Sequence, residues 1–337
     1  MSLRVAINGF GRIGRSFFRA WWQRQQAGQQ TAIDIVAVND LYPADAAAHL
    51  LKFDSNHGRL GASVSATEKQ LLIDDHPLFW MQQAEPDQLP WQALNVDLVL
   101  ECSGRFASGD QATAHLRAGA SKVMISAPAE GADRTVVYGV NHADIKSSDV
   151  IISNGSCTTN CLALIAQLMQ QNLGIDHGMV TTVHCYTNDQ SLQDQFHPDL
   201  RRARAAGQAI IPTATGAAAA IGDVIPELAG KLTGFSVRVP TQSVSLLDFT
   251  FVSRKSITTA AVNQMFIDAA EGPLNGLLDC CDLPLVSSDF VSQSASAIID
   301  LSLTEVNGGL IKVCAWYDNE SGFAHRMVDL ATYLAKH

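Results

Sequence analysis

Short apolar runs alternate with amphipathic stretches through the first half of the chain. Residues 4–8, 33–39, 96–102, 122–125 and 135–138 are apolar runs of strand length. Between them, residues 15–24, 45–51 and 110–118 place apolar side chains at helical spacing. Strands alternating with helices predict crossover units and a mainly parallel sheet. One more strand, over 150–153, runs into a cysteine-containing turn. Beyond residue 157 the texture changes. A long apolar helix over 158–171 precedes strand-like runs at 179–185, 235–239, 243–252 and 309–316. These read as an α+β region on a largely antiparallel sheet. A terminal helix over 326–335 carries Met327, Leu330, Ala331 and Leu334 at the spacing of one buried face.

At 337 residues the chain is long for one hydrophobic core, so two domains are expected. Its 47% hydrophobic and 17% charged residues suit a soluble globular protein with ample core. A formal net charge of −10 argues against nucleic acid as the main partner, because phosphate backbones require a basic face. A small phosphorylated ligand, by contrast, needs only a few arginines in one pocket. No apolar run reaches the roughly 20 residues of a membrane span, and the opening residues read as a strand rather than a signal peptide. Seven cysteines without paired C-x-x-C spacings point to free thiols in a reducing cytoplasm, with no metal site expected.

The first strand ends in Gly9-Phe10-Gly11-Arg12-Ile13-Gly14, a G-x-G-x-x-G turn that opens a helix. Gly9 permits the tight turn, Gly11 lets backbone approach a pyrophosphate, and Gly14 allows close helix–strand packing. Unpaired N–H groups at the helix start then face the phosphates. Glycine turns also arise for purely structural reasons, so the next element matters. The second strand ends at Asp40, whose carboxylate can accept from an adenosine ribose and would repel a 2′-phosphate, favouring NAD over NADP. The interval is slightly long, and a loop around 27–30 absorbs the difference. The plain alternative for Asp40 is a solvated carboxylate at a strand end. With this motif the expected fold class is α/β: a Rossmann-type doubly wound parallel sheet plus an α+β catalytic domain with a largely antiparallel sheet.

Ser153-Asn154-Gly155-Ser156-Cys157-Thr158-Thr159-Asn160-Cys161 places a thiol where a strand passes into a helix. There the helix dipole and free N–H groups favour the thiolate. Hydroxyls of Ser156, Thr158 and Thr159 supply donors suited to an oxyanion or phosphate. Cys161, one helical turn on, reads as a small buried hydrophobe. A partner imidazole would raise the thiolate fraction further by forming an imidazolium–thiolate ion pair. A lone histidine on an apolar strand is otherwise more often structural.

Taken together, these motifs resemble the glyceraldehyde-3-phosphate dehydrogenase family. The match runs through Asn8 to Arg15, Ser156 to Cys161, Thr182-Val183-His184 with Tyr186-Thr187, Thr215-Gly216-Ala217-Ala218, Ile225-Pro226-Glu227-Leu228, the stretches 230–234 and 237–241, and Trp316-Tyr317-Asp318-Asn319-Glu320. It covers essentially the whole chain in order. The resemblance implies an NAD-dependent, phosphorylating aldehyde dehydrogenase with Cys157 as nucleophile and His184 as base. It implies Arg12 and Ile13 at the pyrophosphate and Asp40 at the adenine ribose. Ser103, Gly104, Phe106 and Ser126 would lie along the cofactor, with Asn319 at the nicotinamide carboxamide. Thr187 and Arg238 would bind the substrate phosphate. Ser156, Thr158, Arg202, Thr215 and Gly216 would bind inorganic phosphate, with Arg201 the alternative to Arg202. The expected domains are 1–156, with a C-terminal helix over 320–337, for NAD, and 157–319 for catalysis. The family further implies a homotetramer, with the segment after Tyr186 near a neighbouring subunit.

Several positions depart from the family pattern. Gly155 stands where alanine is usual, Gln242-Ser243 replace a Pro-Asn pair, and Ser321 replaces a tryptophan. Residues 188–198 differ most. His197-Pro198 before Asp199-Leu200-Arg201-Arg202 resembles the sister family, erythrose-4-phosphate dehydrogenase, whereas residues 213–218 fit the triose family's phosphate loop. A reading from another class, a catalytically idle NAD-binding regulatory protein on the same fold, would be marked by loss of Cys157 or His184. Both are present.

Overall fold

The structure, a computed structural model, describes residues 2–29 and 31–337. Gln30, in the loop expected over 27–30, and Met1 lie outside the described residues. Two compact units emerge, one of Met1–Tyr138, His142–Gly155 and Ala324–His337, the other of Gly139–Asn141 and Ser156–Phe323.

The first unit is built on a nine-stranded sheet. Its order is Arg134–Thr135, Ile151–Ser153, Lys122–Ile125, Leu98–Glu101, Leu3–Asn8, Ile33–Asn39, His76–Met81, Gln70–Ile73, Val64–Thr67. The first seven run parallel and the last two return antiparallel. Helices Arg12–Gln26, Ala44–Lys52 and Gly109–Arg117 lie between strands in the chain. Val5, Ala6, Ile7, Leu98, Val99 and Leu100 are buried, which is why these strands read as unbroken apolar runs. Chain order reverses on either side of Leu3–Asn8, and ligands of such sheets bind at the carboxyl ends of the strands flanking that switch.

Two expectations need correction here. The strand over 135–138 is found as the shorter Arg134–Thr135, and Val136 N–H still donates to the Ser153 carbonyl before the turn at Gly139. Val136 and Val137 are apolar because they are buried, not because they extend a ladder. Conversely, the strands Val64–Thr67, Gln70–Ile73 and His76–Met81 were not anticipated. Each is short, and the exposed Leu72 and Phe79 blur the alternation of apolar and polar positions that would mark a half-buried strand.

The second unit carries an eight-stranded sheet. Its main path is Ile211–Ala214, Leu232–Val239, Ile175–Cys185, Ser245–Ser253, Leu310–Tyr317, Ala297–Asp300, Leu278–Cys281, and Glu305–Asn307 pairs off it onto Leu310–Tyr317. The sheet is antiparallel apart from two parallel pairs, Leu232–Val239 with Ile175–Cys185 and Leu278–Cys281 with Ala297–Asp300. Helix Cys157–Asn172 packs against its middle strands. Cys161, Leu162, Leu164, Ile165 and Met169 are buried, so its apolar character runs nearly all round. Helices Ala217–Val224 and Thr259–Glu271 complete the unit and were also absent from the sequence reading. In the parallel pair, His184 and Arg238 are register partners. Among the described residues no helix is long and apolar enough to cross a membrane.

Candidate functional site

In the first unit, the turn after Leu3–Asn8 needs its glycines. Gly9 has φ +93°, and a Cβ there would lie 2.4 Å from the Ser103 nitrogen. A Cβ on Gly14 would lie 2.2 Å from the Gly9 carbonyl oxygen, so helix and turn touch backbone to backbone. A Cβ on Gly11 would meet nothing within 4 Å. That open face is what an approaching diphosphate requires. Gly11 is also the N-cap of Arg12–Gln26 and supplies no side-chain cap, so the first-turn N–H groups remain available to an anion.

Gly9, Gly11, Asp40, Ser103 and Phe106 line one cavity of about 170 Å³ together with Asn8, Asn39, Leu41, Gln83, Ala84, Cys102 and Arg105. Asp40 Oδ2 accepts from Phe10 N–H (2.5 Å) and Oδ1 from Leu41 N–H (2.6 Å), which fixes the carboxylate at the mouth of the turn. The residues fit a dinucleotide. Arg12, however, gives its guanidinium to Asp54 through two bonds of 2.5 and 3.1 Å. Ser126 donates its hydroxyl to the Glu101 carbonyl, and Gly104 takes a positive φ of 71°.

A network that sequence reasoning missed braces this crevice. Glu101 is buried and accepts from the Ser103 N–H (2.7 Å), the Ser103 hydroxyl (2.5 Å) and the Asn8 amide (2.6 Å), and it contacts His115 Nε2 at 3.0 Å. Trp91 donates to His115 Nδ1 from behind. Four contacts satisfy a carboxylate that would be costly to bury bare.

In the second unit Cys157 is the first residue of helix Cys157–Asn172, and Ser156 is its N-cap. The Ser156 hydroxyl accepts from Thr159 N–H and lies 2.8 Å from the Thr159 hydroxyl. Those two oxygens serve the helix cap, not the sulfur, contrary to the cluster of donors expected around the thiol. Thr158 Oγ1 does lie 4.0 Å from Cys157 Sγ, and it contacts the Tyr317 hydroxyl at 2.8 Å. Tyr317, whose role the sequence reading left unassigned, also contacts Thr182 at 2.7 Å and packs edge-on to the His184 ring.

Cys157 Sγ stands 3.5 Å from His184 Nε2. Burial pushes the thiol pKa up, against the pull of the Arg238 charge and nearby hydrogen bonds. Burial and the same arginine push His184 down to about 3. Burial thus works against both charges of the expected imidazolium–thiolate ion pair.

Around this pair the remaining polar side chains gather on Asp189. It accepts from the Thr187 hydroxyl and from Arg202 Nη1 (2.6 Å), whose Nε donates to Thr213 Oγ1 (2.9 Å). Burial raises the Asp189 pKa, but Thr187, Arg238 and Arg202 outweigh it and hold the carboxyl below the usual range. Thr187 and Arg202, assigned by resemblance to two different anion sites, are thus joined by one carboxylate that sequence reasoning did not single out. Arg201 is exposed and reaches only the Pro212 carbonyl. Thr215 accepts from Ala217 N–H at the start of Ala217–Val224, with Gly216 as N-cap. Asn319 is buried, and its oxygen accepts from Val244 N–H (3.1 Å) and the Cys185 thiol (3.0 Å), leaving its amide nitrogen turned the other way. Among the described residues, no group of three or more His, Cys, Asp or Glu is arranged to hold a metal.

Comparison with known proteins covers both units. Residues 3–109 match the family model described as "Glyceraldehyde 3-phosphate dehydrogenase, NAD binding domain", and residues 156–319 match its "C-terminal domain" counterpart. The chain is 51% identical over 336 residues to the chromosomal glyceraldehyde-3-phosphate dehydrogenase of Cupriavidus necator, covering 99% of each chain. It is 50% identical over 335 residues to that of Pseudomonas aeruginosa and 49% over 338 residues to that of Geobacillus stearothermophilus, again covering 99% of each.

Proposed function

The chain belongs to the glyceraldehyde 3-phosphate dehydrogenase family, and on that premise we propose that it oxidises glyceraldehyde 3-phosphate to 1,3-bisphosphoglycerate, reducing NAD and consuming inorganic phosphate. It is an NAD-dependent oxidoreductase. The observation that carries the chemistry is the Cys157 thiol at a helix N-terminus, 3.5 Å from His184 Nε2.

The residues divide the work as follows. Cys157 Sγ attacks the aldehyde carbon, and its proton passes to the carbonyl oxygen through His184, giving a thiohemiacetal. Backbone N–H groups at the helix start face the oxygen as charge develops. His184 Nε2 then takes the hydroxyl proton. Bound NAD supplies the hydride acceptor. The resulting Cys157 thioester is cleaved by inorganic phosphate, releasing the acyl phosphate and returning the thiol. Gly9, Gly11, Gly14 and the first-turn N–H groups hold the diphosphate, Asp40 the adenine ribose, and the amide nitrogen of Asn319 the carboxamide. Arg238 and Thr187 take the substrate phosphate. Ser156, Thr158, Arg202, Thr215 and Gly216 take the attacking one, through bidentate guanidinium contacts and hydroxyl donors.

The test is a comparison of kcat/KM for glyceraldehyde 3-phosphate and erythrose 4-phosphate, with and without inorganic phosphate. The triose is expected to be preferred, turnover should depend on phosphate, and Arg202→Ala should mainly slow deacylation and weaken phosphate binding. The sister reading, erythrose-4-phosphate dehydrogenase, rests on residues 188–198. It replaces this one if the tetrose is preferred and turnover is indifferent to phosphate.

For the cofactor, Asp40→Ala should narrow the preference for NAD over NADP, measured as the ratio of the two kcat/KM values. An unchanged ratio would place Asp40 away from the ribose. We also infer a homotetramer. Leu192 and Phe196, 82% and 87% exposed in the isolated chain, and the exposed Leu200 and Ile210 are large apolar side chains suited to burial against another copy. Light scattering at micromolar concentration should give four times the 36.2 kDa chain mass, and a monomer would refute it. A cytoplasmic location suits a reaction that requires a free Cys157 thiol, and all seven cysteines are unpaired. Cell fractionation checks this.

A further inference from the structure

Cys185, the last residue of strand Ile175–Cys185, carries a second buried thiol in the catalytic unit. Its Sγ lies 3.0 Å from Asn319 Oδ1, 134 residues away in the chain. An amide oxygen only accepts, so the single thiol proton must lie between them. His184 Nδ1, at 3.8 Å, is too far from the sulfur to compete for that proton. Burial also pushes this thiol up to about 12, so the proton stays on sulfur at neutral pH.

A second donor fixes which way the amide faces. Val244 N–H meets the same oxygen at 3.1 Å, and a backbone N–H cannot accept. Turning the amide over would set its NH2 against that N–H. The two donors use both lone pairs of Oδ1, so Asn319 has only N–H bonds left to give. Val244 takes φ +68°, a conformation that β-branched residues rarely adopt. Backbone strain of this kind persists only where the surroundings enforce it, and Val244 is buried. Beside Asn319, the buried Asp318 carboxylate accepts from the N–H groups of Glu320 (2.8 Å), Ser321 (2.9 Å) and Ser292 (2.8 Å), which holds the backbone still.

We propose that Cys185 is a positioning residue for the cofactor: with Val244 N–H, its thiol saturates Asn319 Oδ1 and locks the side chain so that it presents its NH2, a donor, to the carboxamide oxygen of NAD. The proposal rests on Asn319 meeting the nicotinamide end. Cys185 acts through Asn319, so its removal should be felt by the nicotinamide half of the cofactor and not by the adenosine half. Without the thiol, Oδ1 keeps one donor and the amide is free to rotate about it.

The test is calorimetric titration of the full-length enzyme with NAD and with ADP-ribose, which lacks the nicotinamide. Cys185→Ala should weaken NAD roughly 3- to 10-fold, the worth of one hydrogen bond, and leave ADP-ribose within about twofold of wild type. Cys185→Val, which fills the space without a donor, should behave in the same way and serves in its place if the alanine variant does not fold. Cys185→Ser, whose hydroxyl donates to the same oxygen, should recover most of the loss. A role in packing alone would lower the melting temperature without moving the ratio of the two affinities. An unchanged ratio in the alanine and valine variants, or a serine variant as poor as alanine, overturns the proposal. Asn319→Ala separates it from the reading beneath. If that variant also leaves the ratio unchanged, Asn319 does not meet the nicotinamide and both fall. If it moves the ratio while Cys185→Ala does not, only the role of Cys185 falls.

Discussion

Cys157→Ser should retain NAD binding and thermal stability while turnover falls by several orders of magnitude. The hydroxyl is far less acidic than the thiol, and the site makes ionisation harder still, because burial already pushes the thiol upward. His184, whose burial beside Arg238 disfavours its charged form, takes a proton from an alcohol less readily than from a more acidic thiol. An oxygen ester in place of the thioester would also be a poorer acyl donor to phosphate. Stopped-flow measurement of the first NADH turnover checks this. A rate within about tenfold of wild type, a barrier change of only ~1.4 kcal/mol, would remove Cys157 from the mechanism. Cys161→Ser is the control: its thiol is buried one helical turn away, so its cost should appear in melting temperature and not in acylation.

The second large effect concerns the glycine turn. Gly9→Ala should lower both the melting temperature and NAD affinity, the latter by ~100-fold or more. Its positive φ costs an alanine roughly 1–2 kcal/mol. The added Cβ would also stand 2.4 Å from the Ser103 nitrogen, 2.5 Å from its Cα and 2.7 Å from the Cys102 carbonyl carbon, all backbone atoms that no rotamer change can clear. Moving Ser103 would pull two donors from buried Glu101 and loosen the wall of the crevice. Gly11→Ala makes the contrast. Its Cβ meets no protein atom, so melting should hold at wild type while NAD affinity drops because the diphosphate loses its approach. Calorimetric titration with NAD and thermal melting of both variants decide it. A Gly9→Ala protein with wild-type melting and affinity would show that this close approach is not required.

Sequence alone determined what short-range chemistry writes into neighbouring residues. The parallel strands of the first unit were legible because burial on both faces leaves continuous apolar runs, as in Leu3–Asn8 and Ile33–Asn39. Gly9 and Gly14 declared a turn because a Cβ on either would strike backbone, and residues 153–161 declared a strand passing into a helix at Cys157. The hairpin strands 64–81 and the helix Thr259–Glu271 were not legible, since their half-exposed, mixed faces show no dominant period.

Only the tertiary structure decided how distant residues act on one another. Asp189 gathers Thr187 and Arg202, and Tyr317 bridges Thr158 and Thr182 across more than a hundred residues. The resting charge of the catalytic pair belongs here too. Helix position argued for a thiolate and an imidazolium, but the cost of desolvating both charges depends on how much protein surrounds them, which no local pattern records. Strand register was the last such decision. Setting Arg238 against His184 is a choice among pairings that local sequence leaves open, because hydrogen bonds between strands are indifferent to chain distance, and it is made by which side chains can be buried together.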